Sequence, residues 1–131
     1  MIRIGYQGEI GSNSEAATQE FVKNIRLRHG EYELLPLVES KYVIDDLKSR
    51  KIDYGVVAVK NFIAGTVEET HEAMKNEYFE LVDTIILPIH HCIFVKKGVN
   101  INKVKYVTSH IQALKQTRNN RKRFGAINLR Y

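Results

Sequence analysis

The first sixty residues alternate between short apolar runs and amphipathic runs, and this alternation constrains the chain more than any other feature. Ile2, Ile4 and Tyr6 recur at every second position, the period of a strand. Residues 13–28 then place Ala16, Ala17, Phe21, Ile25 and Leu27 on one helical face. "YELLPLV" (32–38) reads as a second strand, interrupted by Pro36. Ser40 stands as a cap before a helical run in which Val43, Ile44 and Leu47 share a face. "YGVVAV" (54–59) has the β-branched content of a buried strand.

The pattern continues downstream. Thr66 with Glu69 three residues later forms a capping box, which predicts a helix over 67–76. "FELVDTIILPIHHCIFV" (79–95) is long and β-rich, in the manner of two strands joined near Pro88. "VKYVT" (104–108) reads as a strand, Ser109 starts a helix through about Arg123, and "AINLRY" begins one more strand. Strands alternating with helices predict an α/β fold.

A chain of 131 residues supports one domain with one core. No run approaches the roughly 18 apolar residues of a membrane span. The N-terminus lacks the basic-then-apolar pattern of a secretory signal. One cysteine, Cys92, excludes an internal disulfide framework and suits a reducing compartment. These features predict a soluble, cytoplasmic protein. Residues 1–100 carry 12 Lys/Arg against 15 Asp/Glu, whereas residues 101–131 carry 8 Lys/Arg and no acid. The basic stretch can serve nucleic acid, a solvated helix face or an acidic small substrate. No nucleic-acid-binding motif accompanies it, so we expect no nucleic-acid partner.

"GYQGEIGSNSEAA" places Gly5, Gly8 and Gly11 ahead of Ser12 and Ser14, and Ser12 with Glu15 matches a capping box. Besides the one at Ser40, three helices start on a hydroxyl residue just after a strand or loop: Ser12, Thr66 and Ser109. Helix N-termini expose unpaired N–H groups, and in open α/β sheets they cluster at the ligand-binding edge. The competing reading is plain capping. The glycine spacing does not fit the dinucleotide fingerprint. "HHC" (90–92) offers metal-ligand types, but adjacent strand residues point to opposite faces, so His90 and His91 do not converge on one ion. Cys92 reads as a small buried hydrophobe rather than a nucleophile. Lys60 reads as a surface or cleft cation rather than a reactive amine.

Taken in order, these segments resemble the catalytic domain of prephenate dehydratases and the related plant arogenate dehydratases. "GYQGEIGSNSEAA" is similar to the family's opening strand, glycine loop and helix start. "DYGVVAVKNFIAGTVEET" is similar to its central signature, "LPIHHCIF" to the strand that follows, and "SHIQALKQTR" to its Ser-His-Pro-Gln-Ala-Leu helix start. The resemblance runs from residue 4 to about 118. It implies a two-lobed, type II periplasmic-binding-protein-like α/β domain over 1–131. Residues 1 to about 88 build a nearly complete first lobe, and 92–131 build a partial second lobe.

The resemblance also implies roles. Asn61, Thr66 and Gln112 are the expected catalytic positions. Gly11, Ser12, Ser14, Lys60, Gly65, Ser109 and His110 are the expected substrate-binding positions. Neither metal nor organic cofactor is implied. The substrate it implies is a small dicarboxylate, prephenate, converted to phenylpyruvate in phenylalanine biosynthesis. Four positions depart from the family pattern: Lys60 for Glu, Ala58 for Pro, Ile111 for Pro and Ala64 for Glu. The family domain continues past the position of Tyr131 into a Thr-Arg-Phe motif and, in many members, an ACT domain. We therefore expect impaired turnover, and a homodimer because an incomplete lobe leaves apolar surface and strand edges uncovered; the lack of a long apolar run predicts no membrane association. The rival expectation is a non-catalytic α/β module that binds small anions.

Overall fold

The computed structural model describes residues 1–61, 65–109, 113–114, 117–119 and 128–130. Two compact units result, the first comprising Met1–Asn61 and Gly65–Pro88, the second holding the described residues from Ile89 onward.

In the first unit, β1 (Ile2–Tyr6), β2 (Tyr32–Pro36) and β3 (Tyr54–Val56) form a parallel sheet in the order β2-β1-β3. Ile4 stands opposite both Leu34 and Tyr54, and Gly5 opposite both Leu35 and Gly55. Parallel strands need crossovers, and helices α1 (Asn13–Asn24) and α2 (Ser40–Lys48) supply them. Strand alternation sends Ile2, Ile4 and Tyr6 to one face, where Ile4 packs with Phe21 and Val22 of α1. Tyr54 meets Phe21 edge-to-face, ring centroids 5.2 Å apart. On the other face a Cβ at Gly55 would come within 2.7 Å of both Val43 and Leu47, so glycine lets α2 lie close to the sheet.

Val43 and Ile44 are buried as the helical face predicted. Helix α1 ends earlier than its apolar pattern suggests, and both crossover helices close in the same way. Arg26 and Arg50 adopt left-handed φ values of 58° and 61°. Behind α1, Arg26 N–H donates to Lys23 O and Leu27 N–H to Val22 O; behind α2, Arg50 N–H donates to Leu47 O and Lys51 N–H to Asp46 O. These are Schellman closures with arginine where glycine is usual. The predicted helix 13–28 therefore stops at Asn24.

The second strand ends at Pro36 rather than being interrupted by it; β2 is a sheet edge, where a missing N–H is tolerated. Only Tyr54–Val56 of the predicted 54–59 run forms strand, and it is half-buried rather than buried, with Ala58 and Val59 exposed.

A short antiparallel hairpin follows, β4 (Lys60–Asn61) with β5 (Gly65–Thr66), then α3 (Glu68–Met74). Lys48 at the end of α2 is paired with Glu77 beyond α3 at 2.7 Å. No strand forms over the β-rich run 79–95. β-Propensity reports fit to a half-buried pleated surface, and in this run only Ile85 and Leu87 are even half-buried. Ile85 joins the α1-side core, and Asn24 donates to Asp83 at 3.0 Å.

In the second unit, a 3₁₀ turn at Ile101–Lys103 precedes β6 (Tyr106–Thr108), which pairs in parallel with β7 (Asn128–Arg130). The predicted helix from Ser109 falls mostly outside the described residues. Cys92, expected to be buried, is exposed, as are His90 and His91. Among the described residues, no helix is long and apolar enough to cross a membrane.

Candidate functional site

The carboxyl ends of β1 and β3 carry the glycine loop and the β4–β5 hairpin, the edge at which open α/β sheets receive ligands. The glycine loop is held by sheet-like contacts. Gly8 N–H donates to Val38 O at 2.8 Å, and Val38 N–H returns to Gly8 O at 3.1 Å. Gly8 and Gly11 have φ of 98° and 88°, conformations that only glycine adopts without strain. Gly5 differs: it has no left-handed φ and makes room for Leu37 and Ile52. Val38 itself has φ 65° and centres a tight turn in which Glu39 N–H donates to Leu37 O at 2.7 Å. A β-branched residue in that region is strained, by about 1–3 kcal/mol.

Ser12 caps α1: its Oγ accepts from Glu15 N–H at 3.2 Å. The reciprocal half of the predicted capping box is not made. Glu15 instead accepts from the Tyr6 hydroxyl at 2.8 Å, and Ser12 N–H donates to Glu9 O. Burial, then the bond to the Glu15 carboxylate and its charge, push the Tyr6 phenol up to about 12. Ser14 is half-buried, and its carbonyl accepts from Thr18 Oγ1 at 2.6 Å. Gly11 is exposed.

Two predicted caps are corrected. Thr66 is not the cap of α3; Val67 holds that position without a side-chain bond, and Thr66 lies in β5 opposite Lys60. Ser40 is the first residue of α2, not its cap, and its side chain is buried. Its N–H donates to Glu69 Oε1 at 2.8 Å, so a carboxylate from α3 serves the start of α2. Glu69 is thereby committed elsewhere than to Thr66.

The hairpin brings two candidates together. Lys60 and Thr66 are directly opposed, which places their side chains on one face, and both are exposed. An ammonium beside a hydroxyl suits one carboxylate. Asn61 and Gly65 form the neighbouring pair. Ser109 follows β6 in the second unit and is exposed. His110 and Gln112 lie outside the described residues.

Sequence reasoning missed Gln7, the residue after β1. Its Oε1 accepts from Ala58 N–H at 3.0 Å and from Thr70 Oγ1 at 3.2 Å, and its Nε2 donates to Glu69 Oε2 at 3.3 Å. Buried Thr70 Oγ1 also lies within hydrogen-bond distance of Ser40 Oγ, at 3.3 Å, and with its own proton on Gln7 it accepts there. The signal was an uncharged polar residue directly after a buried strand. Elsewhere, an open groove of about 420 Å³ runs along Glu20, Asn24 and residues 84–88, by the last turns of α1, and includes none of the candidates. Among the described residues, no three His, Cys, Asp or Glu side chains are grouped to hold a metal.

Comparison with known proteins bears on this arrangement. The family model of prephenate dehydratase matches residues 4–128. Arogenate dehydratase 2 of Petunia hybrida is 27% identical over 126 residues, covering 96% of this chain and 30% of its own length. Arogenate dehydratase/prephenate dehydratase 2, chloroplastic, of Arabidopsis thaliana is 26% identical over 126 residues, with 96% and 31% covered. The chain therefore spans about 30% of the length of these relatives. The crystal structure of prephenate dehydratase from Streptococcus mutans superposes with a TM-score of 0.50 at 24% identity, over 60% of this chain and 37% of that one. That likeness concerns the fold, which is α/β and periplasmic-binding-protein-like. With the family match covering nearly all of its length, this chain belongs to the prephenate dehydratase family.

Proposed function

We propose that this chain binds a cyclic dicarboxylate, prephenate or the related arogenate, and promotes its decarboxylation and dehydration in phenylalanine biosynthesis. The observation that carries the reading is the family match over residues 4–128, joined to a cation–hydroxyl pair at the sheet's ligand-binding edge. In the reaction the ring carboxylate leaves as carbon dioxide. Its bonding electrons enter the ring and expel the hydroxyl, which takes a proton and leaves as water. Aromatisation drives the step, so the protein's work is to orient the dianion and to favour the charge that develops on the departing oxygen.

Lys60 and Thr66 hold the side-chain carboxylate, away from the carboxylate that must leave. Asn61 and Gly65 are their neighbours in the hairpin, and the family pattern assigns Gln112 to the substrate as well. Gly11, Ser12 and Ser14 border it from the glycine loop, with Ser109 and His110 belonging to the second lobe. Residues 1–88 form the first lobe in this reading, and those from about 92 the second.

A reducing compartment suits the exposed Cys92, and we place the chain in the cytoplasm. Exposed Leu81, Val82 and Ile86 support a homodimer. No nucleic acid or membrane is required.

Calorimetric titration with prephenate tests the binding, and phenylpyruvate absorbance at alkaline pH tests turnover, with an enzyme-free control because prephenate aromatises in acid. Saturable binding that Thr66→Val weakens about tenfold is the expected result, since the substitution removes a hydroxyl at nearly constant volume. Equal affinity in the two proteins would remove Thr66 from the site, and no binding by the wild type would refute the function.

A further inference from the structure

We infer that Gln7, held by Glu69, is the positioning residue of the candidate site: its carboxamide ties together both feet of the hairpin that carries Lys60 and Thr66. One foot is Ala58, two residues before β4; the other is Glu69–Thr70, three residues after β5. The Gln7 Oε1 takes a backbone N–H from the first foot and a hydroxyl from the second, while Nε2 donates to the Glu69 carboxylate. A carboxamide offers a two-fold acceptor and a donor on separate atoms of one terminus. Its orientation follows from the partners, because the Ala58 N–H demands an acceptor and the carboxylate demands a donor.

The assembly extends to the rest of the sheet's carboxyl edge. Glu69 uses its second oxygen on Ser40 N–H, and Thr70 reaches Ser40 Oγ. Gln7 is continuous with the central strand, its own N–H bonded to Val56 O. Among the described residues the hairpin has two residue pairs and one flanking bond, Val67 N–H to Val59 O at 2.9 Å. So short a ribbon is marginal alone. Its feet, rather than its ladder, set where Lys60 and Thr66 stand. The ligand-binding part of this inference rests on the proposed function; the tie itself does not.

The test is a swap. Gln7→Glu sets a second carboxylate against Glu69 and removes the donor. Adding Glu69→Gln restores every donor and acceptor with the roles exchanged. Amide exchange at Val67 is read against Ile25, whose N–H bonds Phe21 O away from the hairpin. Gln7→Glu should speed exchange at Val67 about tenfold relative to Ile25 and weaken prephenate binding by a similar factor. The double variant should recover both. Unchanged exchange in Gln7→Glu, or no recovery in the swap, overturns the inference. Thr70→Val, which removes one hydroxyl at nearly constant volume, serves if Gln7→Glu does not fold: faster exchange at Val67 supports the tie and unchanged exchange overturns it. A wild type that binds no prephenate refutes the proposed function, while the exchange ratio still decides the tie.

Discussion

Alanine at each of the three opening glycines should cost stability for three different reasons, and a double-mutant cycle separates them. At Gly8 the φ of 98° is left-handed, and a Cβ would lie 2.8 Å from Ser12 Oγ. Bonds to Val38 in both directions fix that backbone, so the serine must give way. The left-handed cost of about 1–2 kcal/mol then adds to a lost helix cap of about 1 kcal/mol. Gly11 has φ 88° and open space around its Cβ position, so it carries the first cost alone. Gly5 has no conformational cost. Its Cβ would meet Leu37 Cδ1 at 2.7 Å and Ile52 Cδ1 at 2.8 Å, and buried Ile52 has little room to move. Overpacking of this kind costs about 1–3 kcal/mol.

Urea denaturation followed by far-UV circular dichroism gives the three values at constant m. In a Ser12→Ala background the penalty of Gly8→Ala should fall by about 1 kcal/mol, whereas that of Gly11→Ala should not change. Equal costs at Gly8 and Gly11, both indifferent to Ser12, would refute the assignment of a steric and capping role to Gly8.

Two further outcomes follow from the same unit. In alkaline titration the Tyr6 phenol should ionise near pH 12 rather than at the ordinary 10.0. Between those values the folded chain holds a proton that the unfolded chain has lost. The contribution, on the order of 2–3 kcal/mol, is therefore complete below pH 10 and lost as the pH rises towards 12; Tyr6→Phe should abolish that slope in pH-dependent unfolding. Arg26→Gly should raise the thermal midpoint, with a gain of up to about 1 kcal/mol, because glycine accepts the φ of 58° that ends α1; a lowered midpoint would show that the arginine side chain contributes more than its backbone strain costs.

The sequence by itself determined the order of β1, α1, β2, α2 and β3, because period-2 and period-3.6 patterns are local and each dictates one kind of surface. It also determined that Ser12 caps α1, with a side chain bonding three residues ahead. Other features depended on partners distant in the chain. "SNSE" and "TVEE" read alike as capping boxes, yet Glu15 goes to Tyr6 and Glu69 goes to Ser40 and Gln7. The ends of α1 and α2 were illegible because arginine occupies the left-handed position that glycine usually announces. The run 79–95 has strand composition without strand structure, since a ladder needs a neighbour to pair with. Gln7 gave no motif at all. Its importance arises only once the sheet brings Ala58 and Thr70 within reach of one carboxamide, a juxtaposition across more than fifty residues. Local pattern encodes which segments form; where their polar ends find partners is decided by packing, because a buried donor or acceptor takes whichever partner the tertiary fold sets within hydrogen-bond distance.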